Sequence, residues 1–182
     1  MPISRENYVF FWRITSQYGW ASQWYYSPFK ARIQFEVDSR IIDSETDYEF
    51  PTCEHWMMAS KALLFDDKEV FQRVIDSDAT DMTAVKRLGR EVRGFDEKVW
   101  KAAREVIVYQ GNLEKFRQNE ELKKELLETG EKIIVEASPR DRVWGIGYGE
   151  KRALEVKGNW GLNLLGKALE EVRSTLRKEM SI

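Results

Sequence analysis

The stretch "TCEHWMMASKALLF", residues 52–65, joins an acid and a base to a run of large apolar side chains. It reads as a helix, with Thr52 as its N-cap and no breaker inside it. At about 100° per residue, Glu54, Met58, Lys61 and Phe65 share one narrow sector, and Trp56, Ala59, Ser60 and Leu63 occupy the opposite one. A helix apolar on two sides is usually buried. Burying Glu54 and Lys61 without partners is costly, so two readings stay open: the charges pair, directly or through a ligand in a cavity, or they lie at a solvated edge. In the first turn Glu54 faces free backbone N–H groups and the positive end of the helix dipole, with Lys61 two turns on. Both effects depress its pKa, which suits an electrostatic stabiliser or water-activating base better than a general acid. His55, a step round the helix, reads as a hydrogen-bonded scaffold residue.

A second stretch, "VEASPRDRVWGIGYG" at 135–149, surrounds one tryptophan with charge and glycine. Period-two geometry puts Ile134, Glu136 and Ser138 on one face of a strand and Ile133, Val135 and Ala137 on the other. Pro139 ends the strand, so Asp141 and Trp144 fall in the loop beyond it, where a rigid scaffold commonly displays catalytic groups. Gly145, Gly147 and Gly149 allow main chain to approach a ligand, or form a plain turn. They are no dinucleotide fingerprint, because the third position after Gly147 is Glu150. In "NWGLNLLG", Asn163 is the expected cap of the last helix, leaving backbone donors suited to a phosphate. The alternative is that Trp160 closes the core and Asn163 only caps.

These groups need elements to hold them. "RIQFEV" alternates as a strand, with Ile33, Phe35 and Val37 on one side, and "RIIDSETDYEF" reads as a hairpin turning at "DSETD". Helices are predicted after Thr52 and at about 67–76, 80–90, 97–109, 119–129 (capped by Asn119) and 163–179, and "KIIVEAS" is a short apolar strand. The last helix carries Leu165, Ala168, Leu169, Val172 and Leu176 on one stripe. No repeat, low-complexity run or linker divides the chain. The expectation is an α+β fold, a mostly helical single domain (residues 1–182) with a small β-sheet.

Composition removes several classes of function. Residues 1–90 hold fourteen acids against eleven Lys and Arg, and residues 91–182 seventeen against eighteen, so neither half has the basic excess of a phosphate-tracking nucleic-acid binder. One cysteine, Cys53, and one histidine, His55, allow neither an internal disulfide nor a Cys/His zinc set, and no metal is called for. The N-terminal segment has Arg13 where a secretion signal needs its apolar run, and no apolar stretch approaches a membrane span of about 18 residues. A cytoplasmic location is expected, with the nucleus also open and no membrane partner. Seven tryptophans fill a core or stack on planar ligands.

Taken in order, "ASQWYYSPF", "TCEHWMMASKALLF", "RLGREVRGFDEKVW", "LEKFRQNEELKKELLETG", "VEASPRDRVWGIG" and "WGLNLLGKALEEVR" resemble the NADAR family, also called YbiA-like, over about residues 9–177. Bacterial and plant members of that family are associated with N-glycosidic cleavage of riboflavin-pathway intermediates. The resemblance implies Glu54, Lys61 and Ala62 for the helix motif, Asp141, Trp144, Gly145 and Gly147 for the loop, and Trp160, Asn163, Leu165 and Gly166 for the last block. Where the family commonly has Ser-Asn and an aromatic, this chain has Ser22, Gln23 and Trp24, which moves the amide one methylene outward. The activity implied by the resemblance is that of an N-glycosidase, with Glu54 or Asp141 at the sugar cation. Ser22, Gln23, Lys61, Glu136, Trp144, Gly145, Gly147, Trp160 and Asn163 are the expected substrate-binding residues, and no cofactor is needed. The implied substrate is a ribosylamino-pyrimidine phosphate. The alternatives are a hydrolase removing ADP-ribose from a nucleobase or other acceptor, with nucleic acid present only as an ADP-ribosylated substrate, and a non-catalytic module binding ADP-ribose or NAD metabolites.

Overall fold

The computed structural model describes residues 4–181 and is an α+β fold. Its strands are β1 (Tyr8–Phe11), β2 (Phe29–Val37), β3 (Arg40–Phe50) and β4 (Ile133–Glu136). Its helices are α1 (Cys53–Leu64), α2 (Lys68–Ile75), α3 (Met82–Glu91), α4 (Glu97–Gln118), α5 (Glu120–Glu128), a single turn α6 (Glu150–Ala153) and α7 (Leu164–Glu179). The chain divides into two compact units, one of residues 26–119 and one of residues 1–25 with 120–182.

The 26–119 unit wraps α1. β2 and β3 form an antiparallel hairpin, and Ile33, Phe35 and Val37 do face inward as their alternation predicts. The turn, however, is Asp38–Ser39, whose φ angles of 47° and 61° give the left-handed pair that matches strand twist. "DSETD" is instead a bulge inside one long strand: register jumps from Arg32–Asp47 to Gln34–Asp43, and Glu45 takes up the extra length at φ 63°. Phe29, Phe50 and Trp56 cluster with ring centroids 5.1–5.9 Å apart. Two neighbouring helices approach α1 only because they carry glycine: a Cβ on Gly111 would stand 2.4 Å from the Trp56 ring, and one on Gly89 1.8 Å from the Met58 sulfur. The Trp56 Nε1–H donates to the Ile107 carbonyl at 2.8 Å. Gly111 therefore does not stop α4 near 109, and the helix runs to Gln118. Asn119 ends α4, its Nδ2 donating to the Lys115 carbonyl at 2.7 Å, where sequence reading has it capping α5.

Two charges are built into this unit. Asp67 caps α2 through Val70 N–H, and its buried carboxylate also accepts the Arg93 backbone N–H and both arms of the Arg93 guanidinium at 2.7–3.0 Å. Those bonds hold its carboxyl well below the usual range. Lys115, on the inner face of α4, is fully buried, and burial pushes its ammonium down to about 8 against the opposing pull of Cys53.

In the other unit β1 pairs in parallel with β4, Tyr8 opposite Ile133 through Phe11 opposite Glu136. β1 escapes sequence reading because "YVFF" is buried at every position and has no alternation to detect. The Leu165, Ala168, Leu169, Val172 and Leu176 stripe of α7 is buried as predicted. Arg173 joins it, donating to Thr129 Oγ1 and the Lys132 carbonyl at 2.7 and 2.9 Å.

Asp67→Asn is expected to lower stability at neutral pH by about 2 kcal/mol, from a buried group losing charge-assisted hydrogen bonds. Because the native carboxyl titrates below its unfolded value, the gap between the two proteins should close as pH falls below about 4, the ordinary carboxylate value. Denaturant melts from pH 7 downward check both. Lys115 has the same linkage sign in a different window: its native pKa also lies below its unfolded value, so the unfolded chain binds the extra proton between about 8 and the unperturbed 10.5. Wild-type stability should therefore rise relative to Lys115→Met across that window, and parallel pH profiles would contradict the assignment.

Candidate functional site

The start of α1 is a cap buried with everything it holds. Thr52 Oγ1 accepts the His55 backbone N–H at 3.3 Å and lies 2.9 Å from His55 Nδ1 and 3.4 Å from the Met82 sulfur. His55 is buried, and burial lowers its pKa against the opposing effect of Asp78. A neutral, cap-bound imidazole is the scaffold residue the sequence suggests. Cys53 follows, its Sγ 3.6 Å from Asn112 Oδ1, and Asn112 Nδ2 donates to the Val108 carbonyl at 2.8 Å. Burial pushes the Cys53 thiol up to about 11; Lys115 pulls it down and Glu54 pushes it up, so both charges lie within electrostatic range of that sulfur. Glu54 is 3% exposed. The solvated-edge reading of this carboxylate is thus excluded.

Lys61 has partners within the chain. Its Nζ donates to the Gly89 carbonyl at 2.6 Å and sits 4.4 Å from the Phe95 ring and 5.6 Å from Trp100, half-buried, with its pKa lowered by burial and then by Arg90. The ammonium ties α1 to the end of α3 and the segment entering α4. Sequence reasoning missed Lys115 and Asn112. The available signal was spacing: Val108, Gly111, Asn112, Lys115 and Phe116 continue one inner stripe of α4, and a lysine on such a stripe is anomalous.

The "SPRDRVWGIG" loop belongs to the other unit and is closed by a ladder. Gly161, Leu162, Asn163, Leu164 and Leu165 donate their backbone N–H groups to the carbonyls of Ile146, Arg142, Gly145, Val143 and Trp144 at 2.8–3.3 Å. The first two N–H donors of α7, those of Leu164 and Leu165, are therefore taken by the chain's own carbonyls. Asn163 does not cap α7 through its side chain. It stands at φ 51° with its amide on β4, Oδ1 accepting the Glu136 N–H at 3.0 Å and Nδ2 donating to the Ile134 carbonyl at 2.8 Å, as a third strand would. Three glycines serve the protein's own main chain: a Cβ on Gly145 would meet the Glu136 oxygen at 2.7 Å, one on Gly161 the Arg142 oxygen at 2.3 Å and one on Gly166 the Ile134 oxygen at 2.1 Å. Gly147, at φ 76°, leaves room for the Arg142 side chain.

Within that loop Asp141 Oδ1 accepts the N–H groups of Val143 and Trp144, each at 2.8 Å, and so sets the turn that carries the half-buried Trp144 ring. Trp160 is half-buried and packs on a core. Its Nε1–H donates to Ala153 at 2.7 Å, and its ring meets Tyr8 and Phe10 edge-on at 6.0 and 6.4 Å. Ser22 Oγ accepts the Trp24 N–H at 3.2 Å, Gln23 is buried and Glu136 is half-buried. Among the described residues no three His, Cys, Asp or Glu side chains gather as a metal-binding group, and no helix is long and apolar enough to cross a membrane.

Comparison with known proteins gives these arrangements a context. N-glycosidase R617 of Acanthamoeba polyphaga mimivirus is 42% identical over 154 residues, 84% of each chain. The chloroplastic riboflavin biosynthesis protein PYRR of Zea mays is 31% identical over 142 residues, 74% of this chain and 21% of its own. The NMR structure of the Escherichia coli protein YbiA superposes with a TM-score of 0.71 at 25% identity, covering 98% of this chain and 89% of that one. The NADAR domain model matches residues 10–177, reaching into both compact units. With that match over nearly its whole length, the chain belongs to the NADAR family.

Proposed function

We propose that this protein is an N-glycosidase that hydrolyses the C1′–N bond of a ribosylamino-pyrimidine phosphate, with Glu54 as its essential carboxylate. The observation that carries the reading is the burial of that acid in the first turn of α1, at 3% exposure behind the Thr52 cap. A carboxylate kept from bulk water, at the positive end of a helix, is a preorganised group for stabilising developing positive charge. Relatives named N-glycosidase supply the reaction class, and the maize relative named for riboflavin biosynthesis supplies the substrate class.

The chemistry asks little of the protein beyond charge and order. As the C1′–N bond lengthens, cation character builds on C1′ and O4′, and a carboxylate offsets it. Water adds its oxygen to C1′ and gives one proton to the carboxylate; the departing nitrogen takes up a proton from solvent and the carboxylate returns its own, so the products are the free sugar phosphate and the amine. Lys115 and the Cys53–Asn112 contact hold the floor beneath α1, a positioning role. Of the two acids that the resemblance implies, Asp141 is assigned to the loop, because its Oδ1 already holds two backbone N–H groups.

Incubating the purified protein with the ribosylamino-pyrimidine phosphate and following ribose 5-phosphate tests the reading. Glu54→Gln, nearly isosteric, is expected to lower kcat by about 100-fold or more with folding intact, in the range for removing one preorganised charge. Asp141→Asn keeps an oxygen for Val143 and Trp144 and should stay within about tenfold of wild type. Release of ADP-ribose from an ADP-ribosylated base, with no action on the pyrimidine, would keep the chemistry and replace the substrate. Ligand binding without turnover would replace the enzyme with a binding module.

A further inference from the structure

The outer edge of β2 carries a gap that its own helix does not fill. In an antiparallel pair, successive residues present N–H and C=O alternately to the partner strand and away from it. The outward residues here are fixed by two observations. Lys30 gives its N–H to Gln118 Oε1 and its carbonyl to Gln118 Nε2, both at 2.9 Å, and the Gln34 carbonyl accepts Gln110 Nε2 at 3.1 Å. The side-chain amides of α4 thus act as a broken third strand. Arg32, midway between them, has the same parity, so its backbone N–H and C=O also point outward. Its guanidinium is held elsewhere, bidentate on Asp43 at 2.6 Å.

A cleft of about 430 Å³ lies there, between Ala31, Arg32 and Gln34 on one side and Gln110 and Leu113 on the other, with Trp56 also on its wall. One buried side-chain atom in its lining has no hydrogen-bond partner: Gln110 Oε1. The cleft uses the outward face of α4. At about 100° per residue, Gln110, Leu113 and Glu114 lie on the opposite side of the helix from Asn112 and Lys115.

We propose that this cleft binds a small aromatic primary carboxamide, seated on Arg32 as the Gln118 side chain is seated on Lys30. The ligand carbonyl accepts the Arg32 N–H, and the amide hydrogen on the same side as that oxygen donates to the Arg32 carbonyl. Along a strand the carbonyl lies C-terminal to the N–H of its own residue, so the ligand NH2 sits toward Gln34, where Gln110 stands. The second amide hydrogen then reaches Gln110 Oε1. The ring lies in the cleft beside Ala31 and Leu113. This site is independent of the glycosidase reading, and its test reads no hydrolysis.

The test is a titration of the ¹⁵N-labelled full chain with benzamide, N-methylbenzamide and benzoate, followed at the Arg32 backbone and Gln110 side-chain resonances. Benzamide should give saturable shifts at both. N-methylbenzamide, whose methyl replaces the hydrogen required by the Arg32 carbonyl, should bind about tenfold more weakly or worse, as should benzoate, which has no donor. Ala31→Leu, which narrows the cleft, should abolish the benzamide response while the rest of the spectrum is kept. Absence of saturable shifts with benzamide, or equal binding of the three probes to the wild-type chain, overturns the proposal whether or not the variant folds.

Discussion

The packing of α1 is the constraint on which the 26–119 unit depends. A helix with water on one side can carry its charges there, but from Cys53 to Ser60 this one is buried throughout, and Glu54 goes in with it. Burial of that kind requires close neighbours and a satisfied helix start. Gly89 and Gly111 let α3 and α4 approach to the Met58 and Trp56 side chains. Thr52 supplies the cap, and His55 completes it from within the same turn. The cost is borne by ionisable groups: Lys115 has its ammonium destabilised and the Cys53 thiol is held neutral.

The other unit solves a different problem, that of holding an irregular loop without flexibility. Five consecutive backbone N–H groups from 161 to 165 are matched to carbonyls between 142 and 146, and the Asn163 amide extends the short β4 edge. The donors of Leu164 and Leu165 at the α7 start are thus spent on the loop itself. It holds its side chains in fixed places, and Asp141 and Trp144 belong to that frame.

Much of this was legible in the sequence because it rests on local chemistry. Thr52 caps α1 as its residue type suggests, and the stripes of β2 and α7 point where their periods put them. What escaped depends on contacts distant in sequence. Gly111 looks like a breaker until the Trp56 ring is placed over it, and the extension of α4 then brings Asn112 and Lys115 to Cys53. Asn163 has the composition of a cap, but its positive φ and the exposed edge of β4 turn its amide away from the helix. Of the loop glycines that looked like room for a ligand, Gly145 is room for main chain and Gly147 for the Arg142 side chain. A parallel strand as short and uniformly apolar as β1 has no pattern to read until β4 lies beside it.

At the centre of the proposed chemistry, a buried carboxylate stabilises positive charge on a sugar carbon while its bond to nitrogen breaks. The most direct measurement is the single-turnover rate with substrate carrying deuterium at C1′, compared with the unlabelled compound. An oxocarbenium-like state loosens the bending of that C–H bond, so a normal effect is predicted, the unlabelled substrate reacting faster. A ratio of one or an inverse ratio, with bond breaking established as the slow step, would contradict it.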